Sequence, residues 1–166
     1  IDEEEFIAIE QALEVALKEI NIFRSEEGQV LDNDFVSRIA TIKGLLVEVE
    51  KLDSDRLATI RERLEKAVAD LKVDLDANRF EQELIYYLEK YDITEEKVRL
   101  ANHLDYFTVT LKSIDSNGRK LGFICQEIGR EINTIGSKAN FAPLQQVVVQ
   151  MKDELEKVKE QMLNVL

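Results

Sequence analysis

Apolar residues recur at three- and four-residue spacing through nearly the whole chain, the pattern of helices that each bury one face. Phe6, Ile9, Leu13, Ala16, Leu17 and Ile20 mark the first face, and Gly28, after Arg24-Ser25-Glu26-Glu27, is read as its end or bend. A second run from about residue 30 to residue 75 carries Phe35, Ile39, Ile42, Leu46, Val49, Leu52, Leu57, Ile60, Leu64, Val68 and Leu71. Asp53-Ser54-Asp55 interrupts that run and reads as a kink or a fresh cap. Two long helices joined near Gly28 predict an antiparallel hairpin arm over residues 1–75. At 1.5 Å per residue, a forty-residue helix reaches roughly 60 Å. Such an arm has little core of its own and is expected to pack on another subunit or domain.

Shorter elements follow. Asp76-Ala77-Asn78 reads as a turn into a helix over roughly 79–91. Asp92-Ile93-Thr94-Glu95 reads as the capped start of a helix from about 94 to 113, with Asp92 or Thr94 at the N-cap and carboxylates in the first turn. Asp115-Ser116-Asn117-Gly118 is the clearest loop, and a further helix is expected from about 119 to 137. Asn140-Phe141-Ala142-Pro143 is the next break, with Pro143 suited to the first turn of a last helix carrying Val147, Val148, Met151, Leu155, Val158 and Met162. The predicted fold class is all-α: a long antiparallel helical hairpin arm followed by a compact multi-helix block over residues 76–166.

Composition agrees with this reading. The 166 residues include one proline, six glycines and no tryptophan, so helix breakers are scarce. No apolar run approaches the ~18 residues a membrane span needs. Ile1-Asp2-Glu3-Glu4-Glu5 does not have the basic start of a signal peptide, and suggests a fragment of something longer. The single cysteine, Cys125 in Phe123-Ile124-Cys125, has no internal partner and reads as a small core residue of a cytoplasmic protein.

The formal net charge of −12 argues against a general nucleic-acid binder, because phosphate neutralisation needs lysine and arginine. Its distribution weakens that objection. Residues 1–30 hold nine acids against Lys18 and Arg24, whereas residues 79–140 hold ten acids against nine bases. An acidic body with a local basic lane, or a metal bridging carboxylates to phosphate, stays compatible with the charge.

Three polar groups stand out from the solvated faces of long helices. Asn78-Arg79-Phe80-Glu81-Gln82-Glu83 opens a helix, and capping with surface ion pairs accounts for it as well as ligation does. Glu96, Arg99 and His103 share a face at i, i+3 and i+7, with Glu95 in reach of Arg99. His103 is the only histidine and is a candidate acid or base on a face bearing carboxylate and arginine. The third group is Arg119-Lys120, Gln126-Glu127, Arg130-Glu131, Asn133-Thr134 and Ser137-Lys138, in which Glu127, Glu131, Thr134 and Lys138 lie on one face. Carboxylates with one histidine and several bases suit metal-assisted phosphodiester cleavage, the acids holding Mg²⁺ or Mn²⁺ and the bases holding phosphate. An interhelical network that sets packing register accounts for the same residues equally well. None of these spacings is a recognised catalytic signature.

These blocks resemble the C-terminal part of the YicC-like (YicC/YloC) bacterial family, continuously from about Phe6 to Asn164. The resemblance runs through Arg24-Ser25-Glu26-Glu27-Gly28, Asn78 to Glu83, Asp92 to Glu96 with Arg99-Leu100 and His103, and Gly118-Arg119-Lys120-Leu121. It is densest over Gln126-Glu127 and Arg130-Glu131-Ile132-Asn133-Thr134-Ile135-Gly136-Ser137-Lys138. The chain departs from the family at Gly122, where an acid is usual, at Gly129, where asparagine is common, and at Phe141, which replaces a polar residue. The resemblance implies a divalent-metal-dependent endoribonuclease acting on RNA. It also implies a homo-oligomer, a hexamer in the full-length protein, and an N-terminal, partly β-sheet domain preceding this region.

On that reading, Glu96, Glu127 and Glu131 face the metal, His103 donates or accepts a proton, and Arg99, Arg119, Arg130 and Lys138 position phosphates, with Arg79 and Lys120 on the RNA side. The alternative is a non-catalytic RNA-binding or oligomeric scaffold module, for which buried ion pairs without an open cleft would speak. A coiled-coil adaptor fits less well, because Asp76-Ala77-Asn78, Asn117-Gly118 and Pro143 interrupt a continuous coil.

Overall fold

Every regular element of the computed structural model, which describes residues 2–70, 77–113 and 117–164, is an α-helix. In chain order they are α1 (Glu3–Asp70), α2 (Ala77–Lys90), α3 (Thr94–Leu111), α4 (Gly118–Lys138) and α5 (Ala142–Met162). The all-α class is therefore as the spacing predicts. The last three helices start and end within about three residues of their predicted bounds. Leu71, Asp76, Asp115 and Ser116 lie outside the described residues.

The hairpin at Gly28 is a correction. α1 is one helix of 68 residues and runs through Gly28 and through Asp53-Ser54-Asp55 without a break. At 1.5 Å per residue it is roughly 100 Å long. A glycine inside a helix costs only about 1 kcal/mol relative to alanine, too little to end a helix flanked on both sides by strong helix formers. The start is well specified: the Glu5 amide donates to Asp2 Oδ1 (2.8 Å) and the Asp2 amide donates to Glu5 Oε2 (3.2 Å), a reciprocal capping pair.

Only the middle of α1 enters the core. Phe35, Ile39, Ile42, Leu46 and Val49, alternating four and three residues apart, are buried against α3 and α5. Lys43 reaches Asp105 on α3 at 2.6 Å, and Arg38 reaches Glu154 on α5 at 3.2 Å. Each neighbouring pair among α1, α3, α4 and α5 is antiparallel, and the four close into a bundle with α1 beside α5. Residues 35–49 of the expected arm thus share one core with Leu100, Leu104, Phe107, Ile128, Ile132, Leu144, Met151 and Val158 of the expected compact block. Burying each such side chain contributes about 1.5–3 kcal/mol, before the cost of ordering the chain. α2 turns back along the far end of α1, where Arg61 meets Glu81 at 3.2 Å and Leu84 is buried.

Small residues set the α4–α5 spacing. A Cβ at Gly136 would lie 3.0 Å from Val148, and one at Gly129 would lie 3.3 Å from Leu155. At Gly129 a longer side chain would push against α5 unless Leu155 shifted. Cys125 is buried in the α4 core, and burial pushes its thiol up to about 11, so it is an inert apolar residue, as the sequence suggests.

The cap of α3 also differs from the expected form. Ile93 occupies the N-cap and makes no side-chain cap bond, while Asp92, one residue earlier, accepts from the Thr94 hydroxyl (2.7 Å) and the Thr94 amide (3.2 Å). Ile93 is completely buried, so its side chain anchors the corner while Asp92 orders the first turn.

Candidate functional site

α3 and α4 run antiparallel, so residues near the start of α3 face the end of α4. Glu96 and Lys138 meet at one end of this seam at 2.7 Å, and Lys138 Nζ also donates to the Asp92 carbonyl at 3.1 Å. Two turns further along α3, His103 points at Glu127 and Glu131. One donor atom from each of these three residues lies within 4.8 Å of the other two. They are the three residues that the sequence reading assigns to catalysis.

Their surroundings differ. Glu131 is 4% exposed, and no hydrogen bond or ion pair reaches it from the described residues. Glu127 and His103 are half-buried at the rim. Glu127 is the acceptor for Arg130, loosely, at 3.4 Å.

Glu96, expected among the metal-facing acids, lies outside this group. Seven residues separate it from His103, about 10 Å along the helix. Its Oε1 is taken by Lys138, and its Oε2 is buried without a partner. His103 instead supplies the third donor of the cluster. Arg99 is exposed and pairs with Glu95 on its own helix. Arg79 is exposed on α2, which packs on the end of α1. Lys138 is committed to Glu96, which leaves Arg119, Lys120 and Arg130 as exposed cations near the start and middle of α4. Gly122 lines a depression with Cys125, Gln126, Lys159 and Met162 on the α5 side. A side chain at position 122 would therefore not join the His103 cluster.

A second charged group went unread in the sequence. Asp53 and Arg56 are buried, at the positions where the α1 core stripe would continue beyond Val49. Arg56 donates to Asp53 Oδ1 (2.9 Å) and to the Tyr91 carbonyl (2.9 Å), and Lys97 of α3 reaches Asp53 Oδ2 (2.7 Å). The signal was present: continuing the four-three alternation from Val49 gives residues 53 and 56. A charge pair there implies burial with partners. This group and the Glu96–Lys138 pair are the buried register network that the scaffold reading asks for, whereas the His103 cluster opens to the surface.

Beside that cluster lies a shallow depression of about 260 Å³ lined by His103, Tyr106, Lys120, Phe123, Ile124 and Glu127. The Lys120 ammonium sits 4.9 Å from the Tyr106 ring centroid, and the Arg119 guanidinium lies 5.9 Å from that of Phe123.

Comparison with known proteins gives a consistent result. The family profile described as "Endoribonuclease YicC-like, C-terminal" matches residues 49–166. A protein of Clostridioides difficile (strain 630) named "Probable endoribonuclease YicC" is 40% identical over 160 residues, covering 95% of this chain and 55% of that protein. A protein of the same name from Haemophilus influenzae is 35% identical over 169 residues, covering 98% of this chain and 58% of that protein. The chain thus spans a little over half the length of these curated relatives.

Proposed function

Because the chain belongs to the YicC-like endoribonuclease family, we propose that the α3–α4 seam is the phosphodiester-cleaving centre of a divalent-metal-dependent endoribonuclease. The observation that carries this reading is the convergence of His103, Glu127 and Glu131, drawn from two helices to within 4.8 Å. The donor set suits the cation: one imidazole and two carboxylates match Mn²⁺ well and Mg²⁺ less well, since imidazole nitrogen is a softer ligand than oxygen. The Glu131 carboxylate, which no hydrogen bond or ion pair from the described residues reaches, has acceptor capacity to spare for a cation.

His103, Glu127 and Glu131 would hold the ion. When bound, it would polarise a phosphoryl oxygen and lower the pKa of a coordinated water. The protein supplies the rest. The bundle holds α3 and α4 rigidly, so the donors are presented with little rearrangement. Arg130, exposed and only loosely paired with Glu127, is free to swing to a phosphate, and Arg119 and Lys120 extend the positive lane along α4. Glu96 and Lys138 act here as positioning residues, locking the start of α3 to the end of α4.

The same reading takes RNA as substrate and a homo-oligomer as the working form. The exposed apolar positions of the first half of α1 support the second point, since they are unburied in the single chain.

End-group analysis of RNA cleaved by the full-length protein tests the mechanism. Water attack gives 5′-phosphate products whose formation stops with chelator and returns with Mn²⁺. Glu131→Gln and Glu127→Gln should each lower kcat at least about 100-fold with little change in RNA affinity. Cleavage that continues in chelator to 2′,3′-cyclic phosphates, or that survives both substitutions, sinks the site. Mn²⁺ titration followed by electron paramagnetic resonance gives an independent readout, with binding lost in Glu131→Gln.

A further inference from the structure

Tyr106 and Phe123 are large aromatic residues left about half exposed. Tyr106 is 48% exposed and Phe123 is 56% exposed, on the facing helices α3 and α4. Together with Lys120, they line a depression whose other walls include His103 and Glu127, two of the three converging donors. Cations sit against both rings, Lys120 on Tyr106 and Arg119 on Phe123.

A π-face that holds a solvated ammonium at an exposed site holds it weakly, so a nucleobase can displace it. Lys120, once displaced, remains tethered beside the ring and is placed to meet the phosphate attached to that base. Aromatic rings flanked by basic side chains are how proteins hold unpaired bases, because every base has a π-face while the cations follow the backbone. A paired base is already stacked on both sides and cannot lay a face on a ring outside the helix.

We infer that Tyr106 and Phe123 form a stacking subsite for one unpaired base next to the phosphate at the His103–Glu127–Glu131 cluster, with Lys120 and Arg119 contacting the adjoining phosphates. The position of the cut relative to that base rests on the nuclease reading; the stacking does not. The subsite makes these two aromatic residues specificity determinants, since a nucleotide must be free of its helix to present a base there.

The test uses the full-length protein and a short single-stranded RNA carrying 2-aminopurine, with chelator present so that nothing is cut. Stacking on a ring quenches the 2-aminopurine fluorescence. Wild-type protein should quench it on binding. Phe123→Ala and Tyr106→Ala should each abolish part of the quench and weaken binding about tenfold. Tyr106→Phe and Phe123→Tyr, which keep the ring, should bind as wild type does. Circular dichroism separates this from misfolding, which truncation of half-exposed rings is not expected to cause.

In a second arm with Mn²⁺, RNA with one ribose lacking its base, moved stepwise along the strand, should raise KM about tenfold at a single position beside the cut while kcat holds. Phe123→Ala should show no such position. A quench unchanged in the double alanine variant, or equal KM for every abasic RNA, overturns the subsite. Cleavage without abasic discrimination leaves the nuclease reading standing and removes this one. A ring-dependent quench without any cleavage does the reverse.

Discussion

Residues 3–30 and residues 35–56 lie on the same helix and carry large apolar residues at similar spacing, yet they differ completely in burial. Phe6, Ile9, Leu13, Leu17, Ile20 and Phe23 are all more than half exposed, whereas Phe35, Ile39, Ile42, Leu46 and Val49 are 5% exposed or less. The local signal is the same in both. The difference is what lies opposite: α3 and α5 flank the second stretch, and α5 ends at Met162, beside the start of the buried stretch. A helical stripe states that a face wants covering, but it does not say by what.

The largest expected effect comes from truncating one ring in each stretch. Phe35→Ala should cost about 3–5 kcal/mol in urea unfolding, because it empties a packed site against Phe107 at 6.0 Å between centroids. Phe6→Ala should stay within about 0.5 kcal/mol. Equal losses would break the comparison and show that the first stripe is packed in solution.

Charges should separate in a similar way. Asp53→Ala leaves Arg56 and Lys97 without their carboxylate inside the bundle, and unfolding should become easier by about 3–5 kcal/mol. Asp55→Ala, two residues away and exposed, should change stability by less than about 0.5 kcal/mol. If Asp53→Ala were equally mild, the ion group would not be holding α1 to α3.

Gly28→Ala is a sharper probe of the junction between the two stretches. A Cβ there meets nothing within 4 Å, so the substitution should raise local helix stability by about 0.5–1 kcal/mol, visible as slower amide exchange over residues 3–34. Faster exchange would mean that the chain turns at Gly28 after all.

The smallest effect concerns acid. The Thr94 hydroxyl and amide hold Asp92 below the usual carboxylate range. A lowered folded pKa gives stability that is fully present above the unfolded value and lost as pH falls through the folded one. Asp92→Ala should therefore lower the unfolding free energy slightly near about pH 7, by less than about 1 kcal/mol, and the gap to wild type should close as pH falls through the lowered folded value. A gap that widened in acid would contradict the assignment.

Much of the candidate site was legible before any coordinates. Glu127 and Glu131 share a face by spacing alone, and His103 is the one histidine. What spacing could not supply was the register between α3 and α4. That register sets Glu96 against Lys138 and His103 against the two glutamates, so the third donor is the imidazole and not the acid expected. The Asp53–Arg56 pair was missed because an apolar stripe was traced through Leu52 and Leu57, although the buried line continues through the charged positions. The stacking surface had no signal in one helix, because Tyr106 and Phe123 meet only across two.

Local chemistry in the chain determined the helices themselves: their number after residue 77, their approximate ends at Asp92, Asn117 and Pro143, and the faces that seek cover. Those depend on propensity, capping and period, which act within a few residues. Gly28 stays helical because its neighbours are strong helix formers, but which stripe finds a partner was decided by tertiary structure. The same holds for which carboxylates come to lie beside His103. These depend on contacts between residues far apart in sequence, where the energy of packing two faces outweighs the small local preference of any single position.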